Sequence, residues 1–239
     1  MTTVNPTANE IKTILRQAAD EKIRKKIEHW ASGTKCIGFL VPRIRELSKA
    51  FSQKNTHLTI EETCAVMDSL ADEKCREEIL FGVFLLARFK KKVWSIPWEK
   101  INRWLDAVDN WETCDQLASN IAAPIVVHHL PQIEQLKQIA RSPDFWKRRF
   151  AAAVAANINH GGGQFPGETL AICKILLADE ERMVTKAVAW AIREASKKSP
   201  DLVFDFLKAN RKNISARLLN ESSEKLPADL QRELNPVEM

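Results

Sequence analysis

Tyrosine is absent from this chain and glycine is scarce, with 7 in 239 residues. Alternating runs of β-branched residues are rare as well, while Ala, Leu, Ile, Lys and Glu dominate. That combination excludes a sheet protein and predicts an all-α fold. No stretch of about 18 uncharged apolar residues occurs, which excludes a membrane-spanning helix. The N-terminal stretch MTTVNPTANEIKTILRQAADEKIRKK lacks the apolar core of a signal peptide. The five cysteines, Cys36, Cys64, Cys75, Cys114 and Cys173, are dispersed and form no C-x-x-C pair. An odd, scattered set reads as reduced thiols in a cytoplasmic protein.

The usual catalytic constellations are missing too. His128 and His129 are adjacent, so they diverge on a helix, and no Cys or carboxylate stands at ligand spacing from them. No metal site is expected. There is no Ser/His/Asp order and no nucleophile elbow. Cys114 precedes Asp115, but neighbouring helical residues point about 100° apart, so Cys114 reads as a packing thiol.

What is present is helical periodicity that comes in pairs. A capping box opens the first pair, with Thr59 followed three residues later by Glu62, over residues 59–70. A longer, mostly buried helix follows over 73–89. Residues 97–107 then precede a helix over 110–129, 131–141 precede 142–159, and 166–178 precede 179–198. A last pair starts at 200–210. Successive long helices begin about 35 residues apart, the size of a helical hairpin in an α-solenoid of HEAT-like repeats. Proline at several first-helix starts fits the same plan. The chain therefore reads as one solenoid domain over 1–239. N-terminal helices span 8–55, including one charged amphipathic helix over 8–31, repeats span about 57–226, and a tail spans 227–239. A monomer is the default. Stacked hairpins leave a concave face lined by the second helix of each pair. The glycine-rich segment NINHGGGQFPGE has no Gly-Lys-Ser/Thr, so a plain inter-helix loop is preferred over a phosphate cradle at Gly161–Gly163.

The second helices carry the unusual residues. Trp111 and Asp115, four apart, share one helical face. The next long helix offers Trp146, Lys147, Arg148 and Arg149. The one after it offers Lys186, Trp190 and Arg193 in one stripe, with Arg149 and Lys186 at the same phase of their repeats. Cations spaced along such a surface suit a phosphate backbone. The basic runs PRIR (42–45), RFKKK (88–92) and KANRK (208–212) extend that track or are solvated surface. The alternatives are a core role for Trp190 and a structural pairing of Asp115 with Arg149. Trp94, Trp98 and Trp104 read as core or interface fillers.

The segments NWETCD, FWKRRFAAAV, KAVAWAIREASKKSPDLVFDFL and IGFLVPRIRELSK resemble the AlkD-like DNA alkylation repair family, in the same order and over about residues 10–225. The resemblance implies a HEAT-like solenoid on double-stranded DNA that excises cationic N3- and N7-alkylated purines, with no metal and no cofactor. It implies a catalytic aspartate at Asp115, cleft tryptophans at Trp111 and Trp190, a cleft arginine at Arg149 and a DNA-contacting arginine at Arg193. Lys147, Arg148 and Lys186 join them as expected DNA-binding residues. The pattern departs at Glu112, where the better-known sequence has Asp, and at Arg182 and Met183, where some members carry aromatic residues. A cleft tyrosine near the N-terminus is missing, and His29 or Trp30 takes its place. The runner-up is a non-catalytic HEAT-like module that binds DNA.

Overall fold

A computed structural model of the chain describes residues 5–31, 33–160 and 164–234. Among them the structure is all-α, with 15 α-helices and no strand. Residue contacts divide the chain into two compact units, Met1–Ile125 and Val126–Met239.

The first unit opens with α1 (Pro6–Gln17) and α2 (Glu21–Trp30). One helix over 8–31 was expected; the chain instead breaks at 18–20. Asp20 is the reason: its carboxylate accepts from the backbone N–H groups of Lys22 and Ile23 and starts a new helix. Next come α3 (Val41–Lys54), α4 (Ile60–Ala71) and α5 (Arg76–Ala87). α4 carries the expected capping box, with both reciprocal bonds between Thr59 and Glu62 formed. A 3-10 turn, Lys90–Ser95, leads to α6 (Trp98–Leu105) and α7 (Trp111–Leu117).

These helices form two rows. α1, α4 and α6 make one, α3, α5 and α7 the other, and α5 packs against α3, α4 and α7. Every residue of α5 from Arg76 to Leu86 is buried, because neighbours cover it on all sides. Asp68 on α4 ties it to α6 in the same row: it accepts from the indole Nε1 of the fully buried Trp104 at 2.8 Å and pairs with Lys100. Trp98 and Trp104 are core residues as expected. Trp94 is not; it is exposed, with Lys91 Nζ 6.0 Å from its ring, because the 3-10 turn carries it off the helical face.

α7 does not end at Leu117 but runs into a five-residue π turn, Ala118–Ala122, and then α8 (Ala123–His128), which straddles the boundary between the units. In the second unit follow α9 (Ile133–Ile139), α10 (Phe145–Asn157), α11 (Pro166–Leu176), α12 (Arg182–Ser196), α13 (Pro200–Ala209), α14 (Ala216–Ser223) and α15 (Ala228–Leu234). Two rows recur. α10, α12 and α14 pack in succession, and so do α9, α11, α13 and α15. The alanines of α10 (Ala151, Ala152, Ala153, Ala155, Ala156) and of α12 (Ala187, Ala189, Ala191, Ala195) are all buried. Small side chains on facing helices let the two axes approach closely. Gly161–Gly163, weighed above as a loop or phosphate cradle, lie outside the described residues.

Candidate functional site

α7 is started by the buried Asn110, whose side chain accepts from Thr113 N at 3.0 Å and donates to Asp109 at 2.9 Å. This cap fixes the rotation of the helix. Thr113, Cys114 and Leu117 turn inward and are buried. Trp111 is 39% exposed and Asp115 half-buried, so the pair expected on one face lies on the less buried side of α7. Cys114 is fully buried, in keeping with a packing thiol.

A second indole stands beside the first. Trp30, at the end of α2, is exposed and packs on Trp111 with ring centroids 5.5 Å apart. Of the two residues named for the missing cleft tyrosine, Trp30 is the one at this wall. Beneath it lies Arg76, only 1% exposed, with its guanidinium 5.7 Å from the Trp30 ring. Arg76 donates from Nε to Glu112 Oε2 at 2.6 Å and from Nη2 to the same oxygen. Its Nη1 reaches Phe39 O at 2.9 Å and Glu77 Oε1 at 2.8 Å. Glu77, fully buried, accepts in turn from the backbone N–H groups of Ile37, Gly38 and Phe39. Buried charges are tolerated because each is paired and its remaining atoms are hydrogen-bonded. The residue that departs from the family pattern, Glu112, is thus the one that ties α7 to α5. Nothing in the local periodicity pointed to Arg76 or Glu77, since this pairing joins residues far apart in sequence.

In the second unit, Arg148 is held by Asp179 at 2.5 Å and by the carbonyls of Ser142 and Pro143 at 3.0 and 2.9 Å. The Asp179 carboxylate raises its pKa. Arg149 is buried and donates from Nη1 to Met183 O on α12 at 2.6 Å. Lys147 is half-buried and Lys186 exposed. Arg149 and Lys186 do occupy the same position in α10 and α12, but one is enclosed and the other faces solvent. Trp190 is half-buried and stands 6.2 Å from His160, whose Nε2 lies 3.3 Å from Glu194. Arg193 donates to Glu221 O at 2.8 Å. Arg182, at a position aromatic in some relatives, forms a two-pronged pair with Glu221, which holds that carboxyl below its ordinary pKa. Arg148, Arg149 and Arg193 are therefore anchored within the unit, and Lys186 is the most accessible of these five cations.

No group of three or more His, Cys, Asp or Glu among the described residues is placed to hold a metal ion. Their five cysteines are free thiols. No described helix is long and apolar enough to cross a membrane.

Two packed rows of helices in each unit, with Trp111 and Asp115 on one row of the first and Trp190 and anchored cations on one row of the second, define an all-α helical-repeat protein. The family model for DNA alkylation repair enzyme matches residues 11–226, and the chain belongs to that family. Membership places it in DNA repair, with DNA as the substrate. A predicted DNA alkylation repair enzyme from Enterococcus faecalis has a similar solved structure, at 19% identity and a TM-score of 0.72, covering 88% of this chain and 97% of that one. The crystal structure of smu.31 from Streptococcus mutans UA159 is similar at 19% identity and a TM-score of 0.52, covering 78% of this chain and 99% of that one. At that identity both likenesses speak to the fold alone. No curated protein matches the sequence.

Proposed function

We propose that the chain is a DNA glycosylase that removes cationic N3- and N7-alkylated purines from duplex DNA. The observation that carries this reading is the α7 face: Trp111 and Asp115 side by side, braced by the Asn110 cap and the Glu112–Arg76 pair, with Trp30 against the first indole. Alkylation at N7 or N3 gives the purine a positive charge and makes it a good leaving group. When the glycosidic bond breaks, its electron pair goes to the purine, which departs neutral, and positive charge passes to the deoxyribose. A carboxylate held beside that sugar stabilises the charge and orients the water that adds to C1′, taking its proton. In a site partly shielded from solvent, such stabilisation is worth several kcal/mol, on the order of what a single preorganised group contributes elsewhere. The indole face of Trp111 packs on the sugar and adds cation–π attraction.

Lys147 and Lys186 meet phosphates directly in this reading. Arg148 and Arg193, half-buried and already oriented by their internal bonds, present their guanidinium edges to the same backbone. The enzyme works as a cytoplasmic monomer, and the chemistry asks for no cofactor because the leaving group is already activated.

The test is release of free base from duplex carrying N7-methylguanine or N3-methyladenine. Asp115→Asn should bind the duplex like wild type and release base at least roughly 100-fold more slowly, the loss typical of one preorganised electrostatic group. Wild-type protein that binds but releases nothing would leave the non-catalytic DNA-binding module as the correct reading.

A further inference from the structure

Two basic runs that look like solvated surface in the sequence come together in the first unit. Arg45 and Lys49 on α3, Arg88 capping α5 and Lys90 at the start of the 3-10 turn line one open cleft of about 410 Å³. One carboxylate, Glu46, lies on its wall, and Arg43 pairs with it at 3.0 Å. None of the four lining cations is in an ion pair with a carboxylate among the described residues, whereas Lys12, Lys35, Arg76, Lys100 and Arg103 of the same unit all are.

We propose that this α3–α5 cleft grips the phosphodiester backbone of duplex DNA, as a phosphate site additional to the residues of α7, α10 and α12. Four observations support it. Arg45 is held in place rather than left to wander: its guanidinium lies 4.0 Å over the Phe84 ring and donates to Gln116 at 2.5 Å. Gln116 belongs to α7, so the cleft abuts that helix. Surrounding protein partly desolvates the same guanidinium and lowers its pKa with no carboxylate to offset it, and an arriving anion would supply the missing charge. Lys90 has φ of +53°, a left-handed conformation unusual for a side-chain-bearing residue. Strain of this kind persists where the direction of a side chain matters.

The chemistry favours a backbone over a free nucleotide. Arg45 already covers the only aromatic face lining the cleft, Phe84, so no ring is left for a base to stack on. The cations come from separate elements around one open cleft, which suits a strand bearing repeated charges. Of the reading above, this inference uses only that the polyanion is DNA, and it does not require excision.

The experiment measures binding of the full chain to an unmodified duplex across about 50 to 200 mM salt, where each phosphate contact contributes roughly 0.9 to the slope of log K against log salt. Lys49→Gln combined with Lys90→Gln should lower that slope by about two and weaken binding about tenfold at the upper salt. A control removes two exposed lysines elsewhere, Lys22→Gln on α2 and Lys174→Gln on α11, and should change the slope far less. Equal losses in both double variants would mean bulk charge alone and overturn the proposal. Calorimetric titration with inorganic phosphate separates the sources. Phosphate binding that the cleft variant abolishes while duplex affinity stays at the wild-type value would make this a small-anion site and overturn it as well. Loss of slope in a protein whose wild type frees no base would sustain the cleft and refute the glycosylase.

Discussion

Glu78 shows how one side chain can set a pH dependence. It is buried on α5, and its Oε2 has no hydrogen-bond partner among the described residues. Burial raises its pKa above the ordinary 4.5, with Lys12 pulling the other way. A carboxyl raised in the folded state holds its proton longer there than in the unfolded chain. Its contribution is therefore complete below pH 4.5 and declines as pH climbs through the folded value. Urea midpoints measured from mildly acidic to neutral pH should fall in wild type by more than in Glu78→Gln, which has no proton to lose. Equal profiles would refute the burial argument. The candidate site divides at this scale between what sequence could disclose and what it could not. Trp111 and Asp115 were legible because their relation is local, four residues on one helix. Arg76, Glu77 and the Trp30–Trp111 pairing were not, because each joins elements that only the fold brings together.

Helix boundaries tell a related story. The Thr59–Glu62 box was readable because a cap acts over three residues, and both of its bonds are formed. Thr59→Ala should therefore lower stability by about 1 kcal/mol, seen as a shift in urea midpoint with unchanged cooperativity. A smaller change would mean that α4 is set by its packing on α5 and α6 alone. Asp20 was less readable. It sits in a charged run that continues the helical period, and only its bonds to Lys22 and Ile23 N–H reveal a second start. The π turn after α7 was hidden for the opposite reason: Ala118–Ala122 holds no glycine or proline to break the helix, and the single extra residue in the turn leaves no compositional mark. Equivalent positions in α10 and α12 came out in phase as expected. Phase did not predict burial, since Arg149 is enclosed and Lys186 is not.

Across the whole molecule, the scarcity of glycine and the absence of tyrosine correctly excluded sheet, and the repeat offset anticipated the paired helix rows. The scattered thiols have a consequence at this scale too. Burial pushes Cys75 and Cys173 up to about 12, and Cys36 and Cys64 to about 11, from an ordinary value of 9.0. The folded chain keeps these protons where the unfolded chain has released them. Stability is thus full below pH 9.0 and is lost as pH rises toward 11 and 12. Thermal midpoints should decline over that alkaline window, and the native protein should resist thiol-labelling reagents at neutral pH while the urea-unfolded protein reacts. Rapid labelling of the native chain at Cys75 or Cys173 would contradict the packing described here.

Gly38 carries a constraint that reaches beyond its own turn. Its φ is +112°, and a Cβ there would sit 2.2 Å from the carbonyl oxygen of Asp20. The same residue offers its N–H to Glu77, the partner of Arg76. Two strands of main chain are in effect riveted at a spot that admits no methyl group. Natural drift is free to exchange surface lysines by the dozen, yet at this spot any new side chain would pry the start of α2 away from the base of the indole wall.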